Sequence, residues 1–349
     1  MKRTRRQTII TSVLGLLLAT AGVSEAHHVV LQSGPFQAII LTIVVHPKNG
    51  KRLYLGSFGR GVFRTTDGGK VWITSNSGLE NLEVQSLAID PLRPSTLYAG
   101  TDAGVFKTTN GGERWELAST DVAARNIRAL AIDPAHRTTL YAGTDAGVMK
   151  STDGGASWRA RSDGLTAPDV RALAIDPNTP HRLYAAAFGG VFLSTDGGGH
   201  WSAVTQGMGN ENIRTLILDP HNSSTLYAGT ATHGVFKSED GGTSWRPASQ
   251  GMGEVSVMAL AMSPSTSTLY VGTREGLFKS TDRATTWAQV EPDSFSLSIT
   301  SLAADPRPPG VLYVGTGGLF FTSVDGGRNW SGVQWVIHPD LPFQHVVEK

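Results

Sequence analysis

The stretch Thr65-Thr66-Asp67-Gly68-Gly69-Lys70-Val71-Trp72 recurs along the chain in seven related copies. Each copy has the form Ser/Thr-x-Asp/Asn-Gly-Gly-x-x-Trp, except the sixth, in which Arg283-Ala284 replaces the glycine pair. The seven tryptophans are spaced 43, 43, 43, 44, 42 and 43 residues apart. A nearly constant period of this length predicts a repeat fold in which each copy belongs to one structural unit.

The third unit illustrates the pattern between successive motifs. Its four apolar segments are bounded by Gly, Pro, Asp or Asn, which is typical of short strands joined by turns. These segments are Asn126–Pro134, Thr139–Thr144, Gly147–Ser151 and Trp158–Arg161. Four antiparallel strands, A to D, in about 43 residues match one propeller blade. We therefore predict an all-β chain that forms a single seven-bladed β-propeller of four-stranded antiparallel blades.

The N-terminus has the pattern of an export signal. Four basic residues among the first six precede the apolar run Ile9–Val23, and Ser24-Glu25-Ala26 places small residues at a cleavage site. We predict a signal peptide over residues 1–26 and the propeller over residues 27–349, with Sec export favoured over Tat. The alternative is an uncleaved N-terminal anchor.

A partial repeat follows the signal. Residues His28–Pro47 align without a gap with Trp158–Pro177, so Val29–Gln32 correspond to a strand D. We predict that this strand pairs with the last blade and helps to close the ring. The alternative is a disordered leader.

The seven motifs match the Asp-box, and the chain resembles the Asp-box (BNR) repeat superfamily over almost its whole length after the signal. The pattern Leu-Tyr-Ala-Gly-Thr followed by Gly-Val-Phe-Lys resembles photosystem II stability/assembly-factor-like, sortilin-like and xyloglucanase propellers. We interpret the boxes as architecture, because an Asx-type turn explains the aspartate and positive φ explains the glycines. The sixth turn should be the least regular. The structural aspartates and their one asparagine substitute are Asp67, Asn110, Asp153, Asp196, Asp240, Asp282 and Asp325.

The distribution of aromatic residues argues against a sialidase-like enzyme. All seven tyrosines lie in the repeated Leu-Tyr dipeptide, and seven of the eight tryptophans lie in the boxes, with Trp335 as the exception. No tyrosine remains as a nucleophile. The runner-up is a glycoside hydrolase or carbohydrate-binding propeller, since Asp102 and Asp145 resemble an acidic segment of xyloglucanases. Two carboxylates about 5–10 Å apart would then be required. The alternative is that both aspartates only shape turns.

Composition excludes several other classes. The net charge of +1 gives no indication of nucleic-acid or membrane-surface binding. There is no cysteine, and the ten histidines have no metal-ligand spacing, so we predict neither a metal nor a cofactor. A single closed ring predicts a monomer.

The loops that join strands B to C and D to A contain the remaining candidates. Arg128, Arg171 and Arg214 share one position at the start of strand A, where they should gather near the channel mouth, joined by Arg60 and Arg274 from B–C loops. Guanidinium groups bind carboxylates bidentately, and an arginine patch holds a client protein in the photosystem-assembly-like relatives. The alternative is that each arginine pairs with a local acid such as Asp169.

Two aromatic residues, Phe58 and Phe188, occupy equivalent B–C loops. An exposed aromatic on a rigid hairpin is a plausible interface anchor, and the alternative is burial against the next blade. We therefore predict an exported, non-enzymatic scaffold that binds a protein or peptide partner, an assembly or stability factor of a larger complex. Its location would be periplasmic or extracellular, or the thylakoid lumen if the photosystem resemblance extends to location. A polysaccharide partner remains the alternative.

Overall fold

Residues 38–122, 125–290, 298–307 and 310–333 are described by the computed structural model, and they form seven four-stranded antiparallel sheets. The predicted seven-bladed β-propeller is confirmed. Within these ranges the helical structure is one 3-10 turn, Thr120–Val122, and no helix has the length and apolarity needed to cross a membrane. The predicted signal, the strand Val29–Gln32, Trp335 and the domain ends at residues 27 and 349 lie outside the described residues.

Each blade runs from strand A at the channel to strand D at the outer edge. Blade 1 contains β1 (Ile40–Val45), β2 (Leu53–Ser57), β3 (Gly61–Thr65) and β4 (Ile73–Thr74). Blade 2 contains β5 (Val84–Ile89), β6 (Leu97–Thr101), β7 (Gly104–Thr108) and β8 (Glu116–Leu117). Blade 3 contains β9 (Ile127–Ile132), β10 (Leu140–Thr144), β11 (Gly147–Ser151) and β12 (Arg159–Ala160). Blade 4 contains β13 (Val170–Ile175), β14 (Leu183–Ala187), β15 (Gly190–Ser194) and β16 (Ser202–Ala203).

The last three blades follow the same order. Blade 5 contains β17 (Ile213–Asp219), β18 (Asn222–Thr230), β19 (Val235–Ser238) and β20 (Arg246–Pro247). Blade 6 contains β21 (Val257–Met262), β22 (Leu269–Thr273), β23 (Leu277–Ser280) and β24 (Ala288–Gln289). Blade 7 contains β25 (Ile299–Ala304), β26 (Leu312–Thr316), β27 (Phe320–Ser323) and β28 (Ser331–Val333).

The hydrophobic core lies between neighbouring blades. One buried cluster, for example, packs Tyr54 and Val62 of blade 1 against Leu97, Phe106 and Trp115 of blade 2. Each sheet is therefore covered on both faces, which explains why its inner strands are apolar runs instead of alternating ones. A single blade would leave this surface exposed, so its stability depends on its neighbours.

The Asp-box forms a hydrogen-bonded turn between strands C and D. In the first box the Thr65 hydroxyl donates to Asp67 Oδ1 (2.7 Å), and the same carboxylate oxygen accepts the Lys70 and Val71 amides (3.0 and 3.1 Å). The Gly69 amide donates to Thr65 Oγ1 (3.2 Å). The aspartate thus shapes the turn, as the sequence indicates.

The sixth box keeps this pattern without its glycines. Asp282 Oδ1 still accepts the Thr286 amide (2.9 Å), and the Ala284 amide still donates to Ser280 Oγ (2.9 Å). The predicted irregularity is therefore absent from these hydrogen bonds, because the side chains that make them are retained. It lies in the backbone, where Arg283 and Ala284 adopt φ values of 58° and 65° that non-glycine residues rarely occupy.

The second, fourth, fifth and sixth boxes also bind the preceding blade through their tryptophans, whereas the indoles of Trp158 and Trp330 donate to Gly155 O and Gly327 O of their own boxes. The Trp115 indole donates from Nε1 to Ser75 O (2.7 Å), and the Trp115 amide donates to Ser77 O (2.8 Å). In the other direction a tyrosine from strand B reaches forward: the Tyr98 hydroxyl donates to Gly154 O of the third box (3.1 Å). The motif therefore joins successive blades as well as shaping its own turn.

Blades 7 and 1 meet directly. The Thr300 hydroxyl donates to Ile40 O (2.6 Å), the Tyr313 hydroxyl donates to Gly50 O (2.9 Å), and the Trp72 ring packs edge-on against Phe320 with centroids 5.0 Å apart. In blade 7 strand D is Ser331–Val333, paired with β27. Closure within the described residues thus uses hydrogen bonds and packing between blades 7 and 1.

Replacing Gly68 with alanine tests whether the box turn requires glycine because of its positive φ. A Cβ at Gly68 would meet no atom within 4 Å, but its φ is +85°, so Gly68→Ala should destabilise by about 1–2 kcal/mol. The control is Gly317→Ala, where the space is equally open and φ lies outside the left-handed region. Urea unfolding should leave that variant within about 0.5 kcal/mol of the parent. Equal losses in the two variants would contradict this role for the turn.

The buried tyrosines predict a stability limit at alkaline pH. Burial raises the pKa of Tyr98, Tyr141, Tyr227, Tyr270 and Tyr313 to about 12, above the value of about 10 for an exposed phenol. The native state then holds protons that the unfolded state releases, so stability is unchanged below about pH 10 and falls as pH rises towards about 12.

Ultraviolet titration followed together with circular dichroism tests this expectation. Phenolate absorbance from these side chains should rise together with the loss of β structure, whereas the denatured chain should titrate near the ordinary value. Full phenolate formation near pH 10 with an intact fold would be inconsistent with the buried tyrosines.

Candidate functional site

The propeller has two ends with different chemistry. The Asp-box turns and the A–B loops lie at one end, and the B–C and D–A loops lie at the other, which we call the loop face. Adjacent blades are joined there by main-chain contacts: the Gly61 amide donates to Leu82 O (2.8 Å), and the Gly189 amide donates to Glu211 O (2.8 Å). The candidate residues of the B–C and D–A loops are therefore held on a hydrogen-bonded rim.

The first part of the predicted arginine cluster forms around one carboxylate. Arg128 and Arg171 are each the second residue of a strand A, in blades 3 and 4. Arg128 Nη1 donates to Asp169 Oδ1, and Arg171 donates from Nε and Nη2 to Asp169 Oδ2 (3.1 and 3.0 Å). All three side chains are about 30% exposed, at 28%, 29% and 31% for Arg128, Asp169 and Arg171. Local pairing with Asp169, weighed as the alternative, thus occurs for these two arginines.

Arg214 has a different environment. It holds the same position in blade 5, and its Nη1 donates to Ser256 Oγ (3.0 Å) and approaches Met258 Sδ (2.7 Å). Among the described residues its buried Nε has no hydrogen-bond partner. Burial, followed by the charges of Arg274 and Arg171, lowers the pKa of Arg214. A guanidinium held near other cations is a site that a carboxylate would stabilise.

The cluster therefore extends over blades 3 to 6. Arg274 is exposed in the B–C loop of blade 6, and its charge contributes to lowering the pKa of Arg214. Arg60 is exposed in blade 1, and the cations that lower the pKa of Arg214 are Arg274 and Arg171. The structure thus places Arg60 on a different blade from the other four arginines.

Phe58 and Phe188 are both exposed on the loop face, with 52% and 54% of their surface accessible. Burial against the next blade, the alternative that the sequence left open, is therefore wrong. Phe188 forms a bridge with Asn212 at the start of blade 5, and the Phe58 amide donates to Ile39 O (3.0 Å). Both aromatic rings thus stand on anchored backbone.

The two aspartates of the alternative enzyme differ in their surroundings. Asp102 accepts a hydrogen bond from Gln85 Nε2, and its hydrogen bond and charge raise the pKa of Glu83. Asp145 is exposed in the next blade. Asp102 and Asp145 thus lie in the B–C loops of neighbouring blades, and Asp102 already has a hydrogen-bond partner in Gln85.

Several residues of the loop face were not predicted from the sequence. Glu83, Leu82 and Glu211 lie in D–A loops, whose sequences do not repeat from blade to blade. Glu211 contacts His233 (3.0 Å from Oε1 to Nδ1). Their position in the sequence could have predicted them, because each of these residues lies one to three places before a strand A and therefore must lie at the loop face.

Comparison with solved structures identifies similar propellers. A GH74 xyloglucanase from Xanthomonas campestris matches with a TM-score of 0.73 and 18% identity, covering 85% of this chain and 54% of the enzyme. The chain thus spans about half the length of that enzyme. YCF48 bound to a D1 peptide matches with a TM-score of 0.57 and 20% identity, covering 72% of this chain and 80% of that protein.

YCF48 from Cyanidioschyzon merolae matches with a TM-score of 0.60 and 12% identity, covering 84% of this chain and 97% of that protein. At these identities the similarity establishes the fold alone. No curated protein sequence matches the chain. The family match is more direct, since it extends over residues 81–336, from the end of blade 1 to the C-terminal end of blade 7. The chain belongs to the family described as photosynthesis system II assembly factor YCF48.

Proposed function

We propose that this chain is an exported, non-enzymatic scaffold propeller that binds a carboxylate-bearing protein or peptide partner on its loop face and serves the assembly or stability of a larger complex. The observation that carries the proposal is Arg214, a half-buried guanidinium whose pKa is lowered by burial and by its like-charged neighbours Arg274 and Arg171. A partner carboxylate at the channel mouth would offset this repulsion.

Membership of the YCF48 family also supports the proposal of peptide binding. A YCF48 protein has been solved with a D1 peptide bound, and this chain belongs to the YCF48 family. We extend peptide binding to this chain as part of the proposal. A monomeric scaffold in the thylakoid lumen, or in a periplasmic or extracellular space, is the corresponding arrangement.

Asp169 restricts which arginines of this site are available to a partner. Its carboxylate already occupies the guanidinium groups of Arg128 and Arg171. A partner would therefore bind first at Arg214 and Arg274, and it would engage the other two arginines only by sharing or displacing Asp169. The exposed ring of Phe188, beside blade 5, would provide an apolar contact next to this charged site.

The alternative function is carbohydrate binding or hydrolysis through Asp102 and Asp145, in keeping with the xyloglucanase fold. All seven tyrosines are buried and so cannot serve as a nucleophile or as a sugar platform, which makes this alternative weaker. Incubation with xyloglucan should release no reducing sugar. Cleavage that disappears in Asp102→Asn would establish the enzyme instead.

A triple variant tests the arginine site. Arg128→Ala/Arg171→Ala/Arg214→Ala should weaken binding of a D1 peptide, measured by titration calorimetry, by at least about tenfold. The Arg214 guanidinium is lost, and removal of Arg128 and Arg171 leaves Asp169 as an unpaired negative charge beside the site. Binding to the parent should also weaken as salt is raised.

The control removes the same charge elsewhere. Arg114, Arg159 and Arg328 lie in box turns or outer strands and are exposed. The corresponding triple alanine variant should bind the peptide as the parent does. Equal affinity of the parent and the Arg128/Arg171/Arg214 variant, both folded by circular dichroism, would overturn the arginine role.

A further inference from the structure

A second group of exposed side chains lies on the loop face, away from the arginines. Ile39, Phe58 and Leu82 are 43%, 52% and 38% exposed, although each is a large apolar residue. They are brought together by main-chain hydrogen bonds, from the Phe58 amide to Ile39 O (3.0 Å) and from the Gly61 amide to Leu82 O (2.8 Å). We call these three residues the apolar rim patch.

The patch is fixed in place by the ring itself. Ile39 forms an additional bridge with Gly317 of blade 7, so the patch connects blades 7, 1 and 2. Isolated exposed apolar residues are common, but a contiguous set on rigid backbone is typical of an interaction surface. Its immobility also matters, because a pre-organised site loses little entropy when it binds.

Carboxyl groups border the patch on its blade 2 side. Glu83 directly follows Leu82, and the neighbouring Asp102 raises the pKa of Glu83. Gln85 Nε2 also donates to Asp102, which fixes the position of that carboxylate. On the other side Arg60 lies in the Phe58 loop, where its main-chain carbonyl accepts a hydrogen bond from Asn76 Nδ2 (3.0 Å). The carboxyl border therefore adjoins Leu82, and the arginine adjoins Phe58.

The two charged regions lie on opposite sides of the channel. Glu83 and Asp102 belong to blade 2, whereas Arg214 and Arg274 belong to blades 5 and 6. In a seven-bladed ring, blades 5 and 6 stand across from blade 2. A peptide that lies over the channel mouth would therefore meet opposite charges at its two ends.

We propose that the apolar rim patch and the Glu83–Asp102 pair form a second peptide subsite, which binds an apolar side chain followed by a cationic one. This subsite rests on the proposed function, since it deepens the description of the same partner. The apolar side chain packs on Phe58 and Leu82, and the cation pairs with the carboxyl groups that follow. Together with the arginines, the subsite fixes the direction in which the peptide crosses the face.

Synthetic peptides distinguish the two subsites in the full chain. The first peptide ends in two glutamates after a Gly-Ser spacer. The second carries leucine and arginine at its acetylated start in addition, and the third carries leucine and glutamate there. We expect the second peptide to bind roughly tenfold more tightly than the first, and the third to bind no better than the first.

Variants assign this gain to particular side chains. Phe58→Ala, and separately Glu83→Gln/Asp102→Asn, should each remove most of the roughly tenfold gain and leave the affinity for the first peptide unchanged. The controls are Leu92→Ala, an equally exposed apolar residue at the Asp-box end, and Glu116→Gln in an outer strand. Both controls should retain the gain, and thermal unfolding should confirm that every variant is folded.

The outcomes separate this inference from the proposed function. If the first peptide binds and leucine with arginine adds nothing, the second subsite is wrong while the arginine site stands. If the first peptide does not bind, the arginine site fails on its own. If Phe58→Ala lowers thermal stability and the parent shows no gain, the patch is covered by the chain's own residues and the subsite is overturned.

Discussion

The structure depends on one contact that recurs between neighbouring blades: the Asp-box of one blade bound to the strand D region of the blade before it. In the second box the Trp115 indole and main-chain N–H groups satisfy carbonyls of Ser75 and Ser77, and the ring fills the space between the sheets. The Tyr54 hydroxyl of blade 1 donates in turn to Gly111 O of this box, so this interface is held from both sides. Among the described residues the Tyr227 hydroxyl has no such partner at the sixth box. Seven such blades close a circle without needing any blade to be stable alone.

Repetition of this contact also explains why the fold could be predicted from the sequence, whereas the residues of the loop face could be predicted only in part. Strand bounds such as Leu140–Thr144 and Gly147–Ser151 follow from apolar segments between turn residues, which the repeat copies in register. Arg171 and Arg214 share a position at the start of strand A, and Arg274 lies in a B–C loop at the same end of the propeller. The conformation of the sixth turn was harder to predict. Asp282 keeps the hydrogen bonds of the turn, while Arg283 and Ala284 adopt positive φ values that are unfavourable for non-glycine residues.

The residues that the sequence did not reveal lie in loops without a repeat. Asp102 raises the pKa of Glu83 because a D–A loop and a B–C loop place these two residues at the same end of blade 2, and no periodicity encodes that proximity. Likewise, no repeat indicates that Phe58 and Phe188 are exposed, since the other blades have different residues at this point. Repetition predicts what is identical in every blade, whereas binding depends on what differs between blades. The residues of the Asp-box end therefore stabilise the fold, whereas those of the loop face are the candidates for partner binding.

Amide hydrogen exchange of the full chain, with and without a saturating D1 peptide, tests this division most directly. The account predicts slower exchange in the B–C and D–A loops, including residues 80–84, 187–190 and 210–214, and unchanged exchange in the Asp-box turns such as residues 65–72. Protection of the Asp-box turns, with the loop face unchanged, would contradict it.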